Sequence, residues 1–218
     1  MLSPPAIRNM LGQVRSTIDV RSIMDRGQVL IVNLAKGKLG EAPTHLLGAF
    51  LATAFAQAAE ARADIAEDER RDFTLYADEF QHFATDSFAS ILSEARKYRL
   101  ALVLAHQFLG QLPPLLRQAV IGNAGSIIAF RIGAEDAPLI ASELGIEHRA
   151  TLTDTANFSA WVKLVRDGVP TDARAIDTLP PEPLATGALE RVRRRTRARY
   201  ARPRASVEGR ISRFLSTS

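Results

Sequence analysis

The sequence has 218 residues, enough for one well-filled core and few for two, and its 46% hydrophobic and 24% charged residues are those of an ordinary soluble globular protein. It has no cysteine, which excludes a disulfide framework and a thiolate-held metal, and its four histidines (His45, His82, His106, His148) lie at no ligand spacing. The net charge of +4 hides an asymmetry: from Ala188 onward a run of arginines faces only Glu190 and Glu208, so the body is slightly acidic and the basicity belongs to a terminal arm. Such an arm suits nucleic acid, an acidic protein or an anionic membrane surface.

In chain order, "QVLIVNL" (Gln28 to Leu34) is a continuous apolar run of strand length. "APTHLLGAFLATAFAQAAEARA" follows, with Leu46, Leu47, Phe50, Leu51, Ala54 and Phe55 at helical spacing. Within it, Leu46 to Ala59 is the longest apolar stretch, yet it is broken by Thr53 and Gln57 and too short to span a bilayer. The amino terminus does not resemble a signal peptide, so the chain is expected in the cytoplasm. After the charged connector "DIAEDERRD" comes a strand, Phe73 to Ala77, and then a helix in "DSFASILSEARKYR", where Phe88, Ile91, Leu92 and Ala95 share a face. "LALVLAHQ" (Leu100 to Gln107) and "SIIAFRIG" (Ser126 to Gly133) read as further strands, with "PPLLRQAVIGNA" and "EDAPLIASELG" as helices between and after them.

Strands apolar on both faces, alternating with amphipathic helices, predict an α/β fold with a mostly parallel sheet covered on both sides. Asp78 and Glu79 end one such strand and Gln107 ends the next, where functional groups of these sheets collect. A strand-terminal Asp can hold magnesium directly or through water, and a neighbouring Glu can polarise a water that attacks a phosphoryl group. Gln107, with one amide acceptor and two donors, can report a γ-phosphate. The plain alternative is that Asp-Glu ends a strand and caps the next helix.

Four segments carry a family resemblance: "SPPAIRNMLGQVRSTIDVRSIMDRGQVLIVNLAKGKLGE", "LYADEFQHF", "LSEARKYRLALVLAHQFLGQL" and "IGNAGSIIAFRIGAEDA". From about Ser3 to Pro181 the chain resembles the C-terminal half of the motor domain of TraG/TraD-type conjugative coupling proteins, members of the HerA–FtsK superfamily of RecA-like ATPases. The resemblance implies a hexameric DNA pump at the cytoplasmic face of the inner membrane, working beside a type IV secretion channel and a relaxase. It implies that "LYADE" is the Walker B strand, with Asp78 toward Mg2+ and the ATP, Glu79 as the catalytic carboxylate, Gln107 as the sensor glutamine, and Arg96 as a finger reaching a neighbour's ATP site.

The sequence also departs from that family. A complete site needs G-x-x-x-x-G-K-[ST], whose amides and lysine cradle the phosphates, and no such run occurs. Gly37-Lys38 has no glycine at the earlier position and Leu39 where Ser or Thr should stand, so "AKGKLGE" reads as a loop. The chain is therefore expected to be the C-terminal part of a larger ATPase: residues 1–181 a partial RecA-like domain without Walker A, and 182–218 a Pro/Arg-rich linker and a poorly ordered or conditionally helical arm. ATP and Mg2+ would then require the missing N-terminal half or a homologous subunit.

Other residues have plain readings beside the functional ones. Arg96, with Lys97 and Arg99, suits the negative end of a helix dipole. Arg131 interrupts an apolar strand and is expected to emerge at the sheet edge or to pair with an acid such as Glu135 or Asp136, a nucleotide or inter-subunit role being the alternative. Asn123 and Gly125 read as a helix-to-strand turn, and Trp161 as part of a late hairpin turning at Asp167-Gly168. Arg191, Arg193, Arg194, Arg195, Arg197 and Arg199 are the candidate DNA contacts. Three readings stay open: a shared-site DNA-pumping ATPase fragment, a non-catalytic adaptor for nucleic acid or a secretion partner, and a nonfunctional remnant.

Overall fold

The computed structural model describes residues 5–83, 86–182 and 187–216. In chain order the first helices are α1 (Pro5–Leu11), α2 (Val20–Asp25), α3 (Lys36–Leu39) and α4 (Glu41–Glu60). The middle of the chain carries β1 (Phe73–Ala77), α5 (Asp86–Glu94), β2 (Leu100–Leu104), α6 (Pro114–Asn123), β3 (Ile127–Ala129), α7 (Ala137–Leu144) and α8 (Ala150–Thr153). Then follow β4 (Ser159–Lys163), β5 (Val165–Arg166), β6 (Val169–Pro170), β7 (Arg174–Asp177), α9 (Ala188–Tyr200) and α10 (Arg204–Ser216). The chain forms two compact units, Met1–Arg71 with Glu182–Ser218, and Asp72–Pro181. The sequence divides at Pro181; the structure has a further boundary at Arg71 and groups the arm with the first unit.

In the first unit, Asp19 caps α2 by accepting from the Ser22 amide at 3.0 Å. Arg62 is fully buried and donates to Asp25 Oδ1 at 3.0 Å and to the carbonyl of Arg71. Asp25 is shared, because Arg21 also donates to it while reaching Asp64 at 2.7 Å. A buried guanidinium so surrounded is held by its partners, and removing Asp25 would take a charged partner from it at a cost of about 3–5 kcal/mol.

The expected strand at Gln28 to Leu34 does not form a ladder among the described residues. Val29 and Ile31 are 87% and 85% exposed. A run apolar on both faces becomes a strand only where a neighbouring strand and two covering layers meet it, and here none does. The "AKGKLGE" segment holds the single helical turn of α3, joined to α4 at Gly40, whose φ of 87° favours glycine.

In the second unit, β1 and β2 pair in parallel, Phe73 opposite Leu100 through Ala77 opposite Leu104, with α5 in the crossover. This parallel pair flanked by helices is the mixed α/β arrangement that the sequence pattern implies. Two details differ. β3 joins an antiparallel sheet of order β3-β4-β7 rather than the parallel pair. And only one face of β1–β2 is covered: the face with Leu100 and Ala77 is buried, while Tyr76 on the other is 75% exposed. The late hairpin forms as expected, β5 to β6 turning at Asp167 and Gly168, both at positive φ. Asn123 ends α6 and Gly125 lies in the turn to β3; Trp161 sits on β4 opposite Ala129 and Ala175.

Candidate nucleotide site

The ladder between β1 and β2 continues past the last strand residues through Ala105. Its amide donates to Ala77 O at 2.9 Å, and its carbonyl accepts from the Phe80 amide at 3.2 Å. Asp78 and Glu79 are thereby looped out between two backbone hydrogen bonds. Phe80, fully buried, anchors the loop from the far side, its ring 6.0 Å from Phe88 and edge-on to His106 at 5.6 Å. Glu79 takes up a left-handed conformation, φ 50° and ψ 41°, which ordinary L-residues adopt rarely and chiefly where surrounding structure enforces it.

The Glu79 carboxylate is held from two sides. Oε1 accepts from Gln107 Nε2 at 2.8 Å, and Oε2 accepts from Gln81 Nε2, with His82 Nε2 3.8 Å from the same oxygen. Glu79 precedes a short 3-10 helix, Phe80–His82, and its side chain makes no cap to it. Asp78 is exposed and has no hydrogen-bond or ion-pair partner among the described residues. One carboxylate is thus held by an amide donor on each oxygen, and the other is open to solvent.

His106 lies one residue from Gln107. Burial pushes its imidazole below the ordinary histidine value, against the opposing pull of the Phe108 backbone and of the negative Asp136 and Glu79. The ring lies edge-on to Phe80, behind the loop that carries Glu79.

Arg96 is exposed in the 3-10 turn Ala95–Tyr98, without a partner among the described residues. It precedes β2, whereas Glu79 and Gln107 follow the strands, so a five-residue strand separates them, about 16 Å at ~3.3 Å per residue. Arg96 does not join the Glu79 cluster of its own chain. Of the two expectations for Arg131, the ion pair does not form: it is exposed just after β3, without a partner among the described residues, while Asp136 accepts from the Leu109 amide at 2.8 Å. Arg191, Arg193, Arg194, Arg195, Arg197 and Arg199 all lie exposed on α9, with Arg193 donating to Glu190 at 2.8 Å. The contact that sequence reasoning missed is Gln81; its only signal was an amide two residues after the strand-terminal Glu.

The described residues bring Asp78, Glu79 and Gln107 to neighbouring strand ends, and no glycine–lysine phosphate loop lies among them. Among them no group of three His, Cys, Asp or Glu is placed to hold a metal, and Gly37-Lys38 lies in the helical turn α3, joined through Gly40 to α4, rather than in a glycine loop.

No protein-family model matches the sequence, and comparison with curated proteins finds no match. Among solved structures the chain is similar to the bacterial conjugative coupling protein TrwBdeltaN70, at 13% identity and TM-score 0.62, over 76% of this chain and 44% of that one. Two structures of the genome packaging NTPase B204 from Sulfolobus turreted icosahedral virus 2 also match. The ATP-gammaS complex does so at 14% identity and TM-score 0.49, over 76% of this chain and 74% of that one. The AMPPCP complex does so at 15% and 0.45, over 61% and 62%. The chain spans less than half the length of the coupling-protein structure, and over most of its own length it has that protein's fold, a partial RecA-like α/β architecture.

Proposed function

We propose that this chain is part of a DNA-translocating ATPase of conjugative transfer or type IV secretion, acting in a hexameric ring. Asp78 faces Mg2+, Glu79 orients and polarises the attacking water, and Gln107 senses the γ-phosphate. The observation that supports this reading best is the enforced geometry of Glu79: a carboxylate at a parallel-strand end, in a left-handed conformation, with one oxygen tied to the end of the adjacent strand. ATP and Mg2+ supply the phosphoryl group and its charge neutralisation. The phosphate cradle lies outside these 218 residues, in the missing N-terminal motor half or on a homologous subunit, and Arg96 serves the site of a neighbouring subunit. DNA is held in part by α9, and a secretion channel and a relaxase are the further partners.

The lack of a glycine–lysine phosphate loop favours one competing reading, a non-catalytic adaptor that binds DNA or a secretion partner. Purified alone, the chain should bind ATP weakly and not hydrolyse it, because the amide cradle and lysine provide most of the ground-state grip. Co-expressed with the product of the reading frame immediately upstream, it should show DNA-stimulated, magnesium-dependent hydrolysis that Glu79→Gln abolishes. Hydrolysis by the chain alone would refute the shared site. A co-expressed pair with no Glu79-dependent hydrolysis would leave the adaptor as the better account.

A further inference from the structure

In the first unit, α10 packs on α1 with an apolar stripe of Val207, Ile211, Phe214 and Leu215, the i, i+4, i+7, i+8 spacing of one helical face. Val207 is buried, and Ile211 approaches Gly12 so closely that a Cβ there would lie 2.9 Å from its Cδ1. The rest of the stripe is uncovered, because α1 ends at Leu11: Phe214 and Leu215 are 71% and 66% exposed, and Val14 is 99% exposed.

Beside this stripe lies a cavity of about 320 Å³, lined mainly by Val14, Val207, Ile211 and Phe214, with Arg202 and Arg210 as its charged walls. Neither guanidinium has a hydrogen-bond or ion-pair partner among the described residues. The nearby acid, Glu208, is already engaged, accepting from Arg204 at 2.8 Å and from Asn9 at 3.0 Å. The cleft therefore joins exposed apolar side chains to two unpaired cations.

That combination selects the occupant by charge and by polarity together. Nucleic acid would use the arginines but offers the exposed Phe214, Leu215 and Val14 little apolar surface. An anionic bilayer surface uses both, with phosphate on the guanidiniums and the apolar side chains in the headgroup–acyl boundary. We propose that the α1–α10 cleft docks on anionic phospholipid, with Arg202 and Arg210 on the headgroup phosphate and Phe214, Leu215 and Val14 against the acyl chains. This docking does not depend on the nucleotide reading.

The test is flotation of the full chain with vesicles of equal parts phosphatidylglycerol and phosphatidylcholine, and with phosphatidylcholine alone. Two double variants are compared, Phe214→Ser with Leu215→Ser, and Arg202→Gln with Arg210→Gln; all four side chains are outside the buried core, and circular dichroism checks the fold. The unaltered chain should float with the anionic vesicles only. Each double variant should lower that partition at least about tenfold. The serine pair should change affinity for duplex DNA less than about twofold. Flotation insensitive to the serine pair would reduce the interaction to the general attraction of arginines, and equal flotation with both vesicles, or with neither, would also overturn the proposal.

Discussion

Glu79 Oε1 and Gln107 Nε2 meet at 2.8 Å although 28 residues separate them, and the bond ties the ends of β1 and β2 together just where the strands stop. A carboxylate so tied has one oxygen committed to aiming and the other to Gln81, so a water approaching it must compete with an amide donor. Release of either glutamine would then report that the carboxylate has changed partners.

The left-handed backbone at Glu79 can be tested without nucleotide. With φ at 50°, a β-branched side chain is penalised by about 1–2 kcal/mol, whereas asparagine tolerates the conformation. Glu79→Asn should leave the thermal midpoint close to that of the unaltered chain, and Glu79→Val should lower it by several degrees, given roughly 2–4 °C per kcal/mol for a chain of this size. Equal midpoints for the two variants would show that the conformation is not enforced in solution.

The half-buried imidazole of His106 makes a pH prediction whose sign follows from linkage. Its value in the folded chain lies below the ordinary 6.5, so the unfolded chain binds the extra proton first as pH falls. Its contribution to stability is complete above about 6.5 and is lost progressively as pH drops below it. Chemical denaturation at pH 7.5 and in steps down to pH 5 should show stability falling through this window, and His106→Gln should flatten that slope. An unchanged slope in the variant would place the titration elsewhere.

The second unit was legible in the sequence because its signals are local: apolar runs of strand length at 73–77 and 100–104, helical spacing between them, and an Asp-Gly turn. The same signals misread Gln28 to Leu34, since a ladder depends on a partner that no local pattern reveals, and they missed that β3 would pair antiparallel with a strand more than thirty positions later. Asp78, Glu79 and Gln107 could be chosen because strand ends are where such sheets act. Gln81 and the left-handed turn could not, because both follow from how Ala105 brackets the loop.

Arg96 has two readings that differ in what its removal does. It is exposed and unpaired among the described residues, so Arg96→Ala should change stability by no more than about 0.5 kcal/mol. Lying beyond the opposite strand ends from Glu79, it can complete a nucleotide site only in another subunit. In an active assembly, Arg96→Ala should lower turnover by roughly three to five orders of magnitude with little change in nucleotide affinity. Mixed assemblies of Arg96→Ala and Glu79→Gln subunits should recover activity at interfaces that bring an intact Glu79 to an intact Arg96. An Arg96→Ala chain that unfolds would support the helix-dipole role instead.

The arginines of α9 set a limit on DNA affinity that a flexible arm would not have. At about 100° per residue, Arg191, Arg194, Arg195 and Arg199 lie within an arc of about 140°, while Arg193 and Arg197 point to the opposite side, Arg193 donating to Glu190. One straight helix therefore brings about four arginines to one duplex. Since each neutralised phosphate contributes about −0.9 to the log–log salt slope, affinity for duplex DNA should fall with a slope between about −3 and −4, and about −3 for a single strand. Tyr200 is the aromatic side chain of α9, and the Arg199 guanidinium lies 5.3 Å from its ring centroid, so base stacking and sequence preference should be slight. Changing the four clustered arginines to glutamine in the full chain should remove most of the salt dependence, whereas changing Arg193 and Arg197 should remove little. The full chain is the right vehicle, because ending it at Gly187 would also remove α10 from its seat on α1. Equal loss from the two sets would mean that α9 does not meet DNA as a single helical face, and binding unchanged by either would move the DNA contact to other residues.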